Sequence, residues 1–423
     1  MTTFFSVTSV TQPETPASNS APSPASTLIE WKEAGVAHSA LWRSERGALP
    51  PRRMVEADDT MAADTAYRLA CEGTGLLWRG DFQNARQMAQ ALARRIDKPP
   101  KASKLARVAT KKAADNAIAG VPAGQEFHLH RQAQSQRARV LAMVLIEFGA
   151  DYGIDLRRAP DASQACIEAW GAPGEAALPS VASLRELLGV ISAHEWRKKG
   201  VEILALGKAP NNRIHPHYGV FSPVRGEYVD LVAHAPLPAN PSSKFVAFDI
   251  GTGTGVLSAV LALRPEIDQV VATDLDPRAL ECARENIYRL RLPNPVKVMQ
   301  ADLYPEGLAS VIVCNPPWLP ARPGSPLEGA VYDEGGRMLL GFLNGLAAHL
   351  APGGEGWLIL SNFAEQLGLR SRAELLAAIK ASGLKVLSRI DAKPDHPKAA
   401  DASDPLHKAR AAEVTSLWRL GAA

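Results

Sequence analysis

At 423 residues the chain is too long for one ordinary hydrophobic core, so about two to three domains are expected. Its 46% apolar and 22% charged residues exclude a disordered or fibrous protein, and a net charge of +3 is too small to imply a polyanionic partner by itself. Cys71, Cys166, Cys282 and Cys314 are scattered without a CxxC pair, which argues against a disulfide framework or zinc site; no metal is expected. No signal-like N-terminus and no apolar run of about eighteen residues occurs, so the expectation is a cytoplasmic chain without a membrane span.

Residues 1–27 are rich in Ser, Thr and Pro and poor in apolar residues, the composition of a disordered tail. From Leu28 to about Gly207 the helical period dominates. Ala63–Ile96 reads as two helical stretches broken near Glu72-Gly73-Thr74-Gly75. Ser135–Phe148 places Ala138, Leu141, Met143, Leu145 and Phe148 in an apolar stripe, and Ser183–Leu206 reads as one or two helices with Ser180 and Ser183 as N-caps. These features predict an all-helical N-terminal domain over 28–207, with loops at Lys98–Lys101, Gly120–Gly124 and Ala172–Pro179.

The pattern changes after Asn211, and a second domain is expected over 211–423. Strands are predicted at Phe245–Phe248, Val270–Thr273, Val296–Gln300, Val311–Cys314 and Trp357–Leu360, with helices at Val256–Leu263, Pro277–Leu290, Arg337–Leu350 and Arg372–Ala381. Leu384–Ile390 and Val414–Leu420 close the series as an antiparallel edge. Strands alternating with helices imply an α/β fold with a doubly wound, mostly parallel sheet, whose ligands lie beyond the strand carboxyl ends at the switch point.

Two motifs fall at such ends. Asp249-Ile250-Gly251-Thr252-Gly253-Thr254-Gly255 follows one strand and opens a helix; its glycines let the backbone approach a ligand closely. The spacing is GxGxG, not the GxGxxG of dinucleotide binders. The next strand ends in Asp274-Leu275, where a carboxylate can accept both hydroxyls of a ribose. Asp302-Leu303 follows the third strand, where an acid can accept adenine amino hydrogens and the leucine can pack on the ring. Asp249 is placed to meet an ammonium group directly or through water. Any one of these acids could equally be a helix cap. The ordered set points to a nucleoside-bearing methyl donor, S-adenosylmethionine.

About sixty residues after the glycines stands Asn315-Pro316-Pro317-Trp318. Asn315 can accept one N–H of a planar –NH2 group through its side-chain carbonyl, and the Pro316 carbonyl can accept the other. Two prolines stiffen the backbone, and Trp318 offers a face for stacking. With the donor set, the tetrad indicates N-methyl transfer, and Asn315 is expected to belong to both the acceptor and the donor subsites.

Together these segments resemble class I methyltransferases of the glutamine-N5/adenine-N6 type, nearest to the HemK/PrmC branch, over about residues 211–420. His217–Glu227, Asp333-Glu334-Gly335-Gly336 and Gly356–Gln366 carry the likeness further. The resemblance implies a Rossmann-like class I methyltransferase sheet, S-adenosylmethionine as cofactor, and a protein glutamine as acceptor. The alternatives are an adenine amino group of RNA or DNA, and a non-catalytic binding module on the same fold. Two positions depart from the family: Trp318 stands where Tyr is usual, and Val224 separates Pro223 from Arg225.

Other segments are less specific. Lys98, Lys101, Lys104, Arg107, Lys111 and Lys112 form a basic run without aromatics, readable as a phosphate track or a solvated face. His128/His130 and His215/His217 lack nearby metal-ligating partners in sequence and read as loop or surface histidines, and Cys314 as a small buried strand residue.

Overall fold

The computed structural model describes residues 27–98, 124–239, 244–324, 326–394 and 404–423. The expected N-terminal tail, apart from Thr27, and the basic run, apart from Lys98, lie outside these residues.

The N-terminal half is not all-helical. It contains a six-stranded sheet built from β1 (Leu28–Glu33), β2 (Val36–Arg43), β3 (Arg53–Ala57), β4 (Thr74–Trp78), β5 (Val144–Phe148) and β6 (Ser180–Ser183), in the order β1-β2-β6-β5-β4-β3. The two helical stretches of 63–96 are the helices Ala63–Cys71 and Phe82–Ile96, and what separates them is β4. The stripe over Ser135–Phe148 is the end of the helix Gln125–Leu141 followed by β5. Ser183 does cap the helix Leu184–Lys199, its hydroxyl accepting the Glu186 amide at 3.0 Å, whereas Ser180 pairs within β6. Leu76, Trp78, Val144, Ile146 and Phe148 pack on helices to one side of this sheet; Leu77, Leu145 and Val181 pack with Ile29 and Trp31 on the other. A two-residue ladder, β7 (Val201–Glu202) with β8 (Arg213–Ile214), leads into the second half.

The C-terminal half holds a seven-stranded sheet: β9 (Val246–Ile250), β10 (Gln269–Asp274), β11 (Val296–Gln300), β12 (Ala309–Cys314), β13 (Leu350–Ser361), β14 (Leu384–Ala392) and β15 (Thr415–Ala422). Their order is β11-β10-β9-β12-β13-β15-β14; the first five run parallel, and β15 is antiparallel to both neighbours. This is the doubly wound, mostly parallel sheet with an antiparallel edge that the sequence predicts. Side chains alternate between two buried layers: Ala247, Val311, Val313, Trp357 and Ile359 face one helical layer, and Phe248, Ile312, Cys314, Leu358 and Leu360 the other. Chain order reverses at β9, which pairs with β10 on one side and β12 on the other, with Ile250 opposite Cys314. Among the described residues no helix is long and apolar enough to cross a membrane.

The halves meet along a polar seam. Arg197 donates to both carboxylate oxygens of Glu285 at 3.1 and 3.0 Å, Arg278 pairs with Glu45, and His217 bonds Glu285 at 3.0 Å. His217 is therefore buried, not a surface residue, and burial lowers its pKa. A second, apolar contact between the halves packs Phe127 with Leu319, Phe363, Leu367 and Leu406.

Candidate active site

The switch point brings both motifs to one place. Because Ile250 and Cys314 are lateral neighbours, the segments that leave β9 and β12 emerge side by side. Both line one cavity of about 490 Å³, within the few-hundred-to-thousand Å³ range of small-molecule sites.

On the donor side, Gly251, Gly253 and Gly255 have φ of 72°, 55° and 81°, the left-handed region that glycine enters without strain. A Cβ on Gly255 would lie 3.2 Å from the Ala283 Cα, so this glycine lets the turn seat against the helix Pro277–Leu290. A Cβ on Gly253 would meet nothing within 4 Å; that face of the turn opens to the cavity. Asp274 is half-buried beneath it. Its Oδ2 accepts the Gly253 amide at 3.0 Å and its Oδ1 accepts the Asp276 amide at 3.0 Å. Burial raises the Asp274 pKa, against the lowering effect of these amides. Leu275 is exposed at the cavity edge, and Thr252 lines it.

Asp249 does not line the cavity. Its Oδ2 accepts the Thr252 hydroxyl at 2.7 Å and the Ser258 amide and hydroxyl at 3.0 and 2.6 Å. The carboxylate is 1% exposed, and burial pushes its pKa up. It braces the glycine turn from behind, where the sequence reading placed it near an ammonium group. Asp302 lines the cavity from the surface and is paired with Arg337 Nη2 at 2.9 and 2.8 Å. Leu303 beside it adopts φ 72°, a strained value for a branched side chain, and its carbonyl accepts the Thr273 hydroxyl at 2.6 Å.

The acceptor side starts at Asn315, half-buried, followed by buried Pro316 and Pro317 and half-buried Trp318. The Trp318 indole N–H donates to Asn315 Oδ1 at 2.9 Å. Arg225 lies over the Trp318 ring with its guanidinium carbon 4.8 Å from the centroid. Phe127, Tyr332 and Phe363 also line the cavity, as do His130, Arg410 and Glu413. Tyr228 is a buried lining residue, its phenol raised in pKa by burial. Cys314 is fully buried, and burial raises its thiol well above the ordinary range; it has no face toward the cavity.

Several of these residues escape sequence reading. Phe127 and His130 come from the N-terminal half, and Arg410 and Glu413 from the approach to β15; none sits in a recognisable motif. His128 and His130, expected in a loop or on the surface, lie on the helix Gln125–Leu141, where His128 is exposed and His130 lines the cavity. Among the described residues no cluster of three His, Cys, Asp or Glu side chains is placed to hold a metal.

The donor side fits a nucleoside-bearing methyl donor by its shape: a glycine cradle with open space above Gly253, the Asp274 carboxylate beside it, and Leu275 and Leu303 among the lining residues. Residues 211–371 match the family described as "MTS: Methyltransferase small domain". The chain is similar to the release factor glutamine methyltransferase of Moorella thermoacetica, 38% identical over 126 residues, covering 28% of this chain and 44% of that protein. It is also similar to the tRNA1(Val) (adenine(37)-N6)-methyltransferase of Glaesserella parasuis serovar 5, 36% identical over 83 residues, 19% of this chain and 35% of that one. The chain thus spans less than half the length of these two relatives. Among solved structures, the ribosomal protein L11 methylase from Lactobacillus delbrueckii subsp. bulgaricus aligns over 50% of this chain and 88% of that one, at 15% identity and a TM-score of 0.33.

Proposed function

We propose that the protein is an S-adenosylmethionine-dependent N-methyltransferase acting on a planar amide or amino nitrogen, with a protein glutamine side chain as acceptor. One observation carries this reading: the glycine turn with Asp274 and the Asn315–Trp318 tetrad line a single cavity from adjacent strand ends. The donor, when bound, supplies an electrophilic sulfonium methyl. The rest is orientation by the chain's own residues. Gly251–Gly255 and Asp274 hold the nucleoside. Asn315 Oδ1 and the Pro316 carbonyl accept the two N–H groups of the acceptor, which directs the nitrogen lone pair toward the methyl. Trp318 stacks on the plane of the acceptor. The N–C bond forms as the S–C bond breaks, leaving a neutral thioether. The nitrogen, made acidic by the new bond, gives its proton to water, so such placement supplies acceleration without a strong base. The relatives named for release factor glutamine support a protein acceptor.

An adenine amino group is the second reading, favoured by the broad face of Trp318 and by the relative named for tRNA adenine. A base from a duplex would have to be flipped out to reach Asn315. Transfer of labelled methyl groups into a cell lysate divides the two: the label is expected to vanish on protease digestion and survive ribonuclease. The reverse result assigns a nucleic-acid acceptor, and absence of both labelling and donor binding leaves a non-catalytic binding module.

A further inference from the structure

An asparagine side chain is chemically two-faced, an acceptor oxygen on one side and a donor –NH2 of nearly equal size on the other. To hold an –NH2 acceptor the oxygen must face it; turned over, the amide would set N–H against N–H. Nothing in an Asn-Pro-Pro backbone makes this choice. Here Trp318 makes it. Indole nitrogen is a donor only, so its bond of 2.9 Å to Asn315 requires the oxygen on that side. A carbonyl oxygen has two lone pairs, and the second stays available. The Tyr usual at this position in the resembling family has no ring N–H, so this device follows from the substitution.

The indole is itself held. Arg225 covers its face at 4.8 Å. That guanidinium donates through Nε to Glu227 at 2.7 Å, through Nη1 to Glu413 at 3.1 Å and through Nη2 to Thr415 at 3.4 Å. Glu413 is 3% exposed, and the same Oε1 accepts the Ser361 hydroxyl at 2.6 Å. Its Oε2 has no hydrogen-bond partner among the described residues. A buried carboxylate with one free oxygen is costly, and its retained contacts are those that anchor Arg225. A continuous path runs from Glu227 and Glu413 through Arg225 and Trp318 to Asn315.

We propose that Arg225 and Trp318 are positioning residues for the acceptor: Arg225 fixes the plane of the indole, and the indole N–H locks the Asn315 amide with its oxygen toward the incoming nitrogen. The pinned oxygen selects an acceptor that arrives as an N–H donor and repels a carboxylate of the same shape, so glutamine is taken and glutamate refused. This rests on reading Asn315 as the acceptor clamp.

The test begins with a readout independent of turnover. In protein labelled with ¹⁵N at its eight tryptophans, the indole resonance that disappears in Trp318→Phe belongs to Trp318. Its exchange with solvent should speed up about fivefold in Asn315→Ala, the equivalent of one ordinary hydrogen bond. Arg225→Met should speed it as well, and Arg225→Lys should restore part of the protection. Unchanged exchange in Asn315→Ala overturns the lock, and unchanged exchange in Arg225→Met removes Arg225 from it. The second arm measures labelled methyl transfer into the lysate acceptor. Trp318→Phe should lower the rate at saturating acceptor by about 10- to 100-fold, the usual effect of losing an orienting partner. Half-saturation and the affinity for S-adenosylhomocysteine should stay near wild type. A full rate in Trp318→Phe, or a loss of S-adenosylhomocysteine affinity, overturns the positioning role. Should the wild type bind no donor at all, the methyl-transfer reading fails, while the exchange experiment still decides whether the indole pins Asn315.

Discussion

Replacing Asp274 by alanine should weaken donor binding by about 100-fold or more. An ionised carboxylate offers about four lone-pair sites. The Gly253 and Asp276 amides occupy one on each oxygen, at 3.0 Å, which leaves one on each for the two hydroxyls of a ribose. A hydrogen bond to a charged group contributes about 1.5–3 kcal/mol. Losing two therefore costs about 3 kcal/mol at the low end, close to two decades in Kd. Alanine also releases the glycine turn, because the Gly253 amide loses its partner. Asp274→Asn separates the effects: it keeps the volume and one acceptor oxygen, and should cost about tenfold. Isothermal titration with S-adenosylhomocysteine gives both numbers, and urea denaturation of each variant checks that the fold persists. A well-folded Asp274→Ala protein that binds within about threefold of wild type would refute the ribose assignment.

Three further outcomes are expected. Gly255→Ala forces a side chain into φ 81° with its Cβ 3.2 Å from the Ala283 Cα; it should lower stability by about 2 kcal/mol, and an unchanged urea midpoint would show that the turn tolerates a Cβ. Donor binding should weaken as pH falls through the Asp274 pKa, which burial holds above its ordinary 3.8. Protonation removes the charge that the hydroxyls bond, so the loss should begin at a higher pH than for an exposed carboxylate, and Asp274→Asn should flatten the profile between neutrality and that window. The stability sign is the reverse: with the folded value raised, the ionised form is the costly one, and that cost is relieved as pH falls through the folded value toward 3.8. Phe127→Ala empties a site only 2% exposed; it should destabilise by about 3 kcal/mol and raise the acceptor concentration needed for half-maximal transfer while leaving donor affinity intact. A shift in donor affinity instead would place Phe127 in the donor subsite.

The C-terminal half could be read closely from its sequence wherever a turn residue or a helix cap sets an element off; β13, which follows the helix Arg337–His349 without a break, starts seven residues before its predicted Trp357. Pro277 at the start of its helix, the Asp276 cap and the Ser371–Glu374 capping box all mark their boundaries. The N-terminal half misled for a physical reason. Strands β4, β5 and β6 have four or five residues each and are almost wholly buried. Such a short apolar run has no visible period, and next to a helix it extends the helical stripe. Leu141 ends a helix and Val144 begins a strand with only two residues between them. The signal that was present lay in β1, where Ile29 and Trp31 are buried and Leu28 and Glu30 exposed, an alternation of period two.

The site divides in the same way. Residues on one strand end, such as Gly251–Gly255 and Asn315–Trp318, carry their meaning in local spacing. Those that complete the cavity, Phe127, His130, Arg410 and Glu413, are brought in by tertiary packing from segments with no local pattern. Asp249 shows the limit of motif reading within a motif. Its position beside the glycines pointed to the ligand, but the three donors converging on Oδ2 turn it inward.

The most direct measurement is single-turnover methyl transfer from prebound labelled S-adenosylmethionine, comparing wild type with Asn315→Ala. If the donor turn and the tetrad serve one reaction, Asn315→Ala binds the donor as wild type does and transfers about 100- to 1,000-fold more slowly, as when a catalytic hydrogen-bonding group is removed. Undiminished transfer in Asn315→Ala would contradict the acceptor clamp and with it the assignment of this cavity to N-methylation.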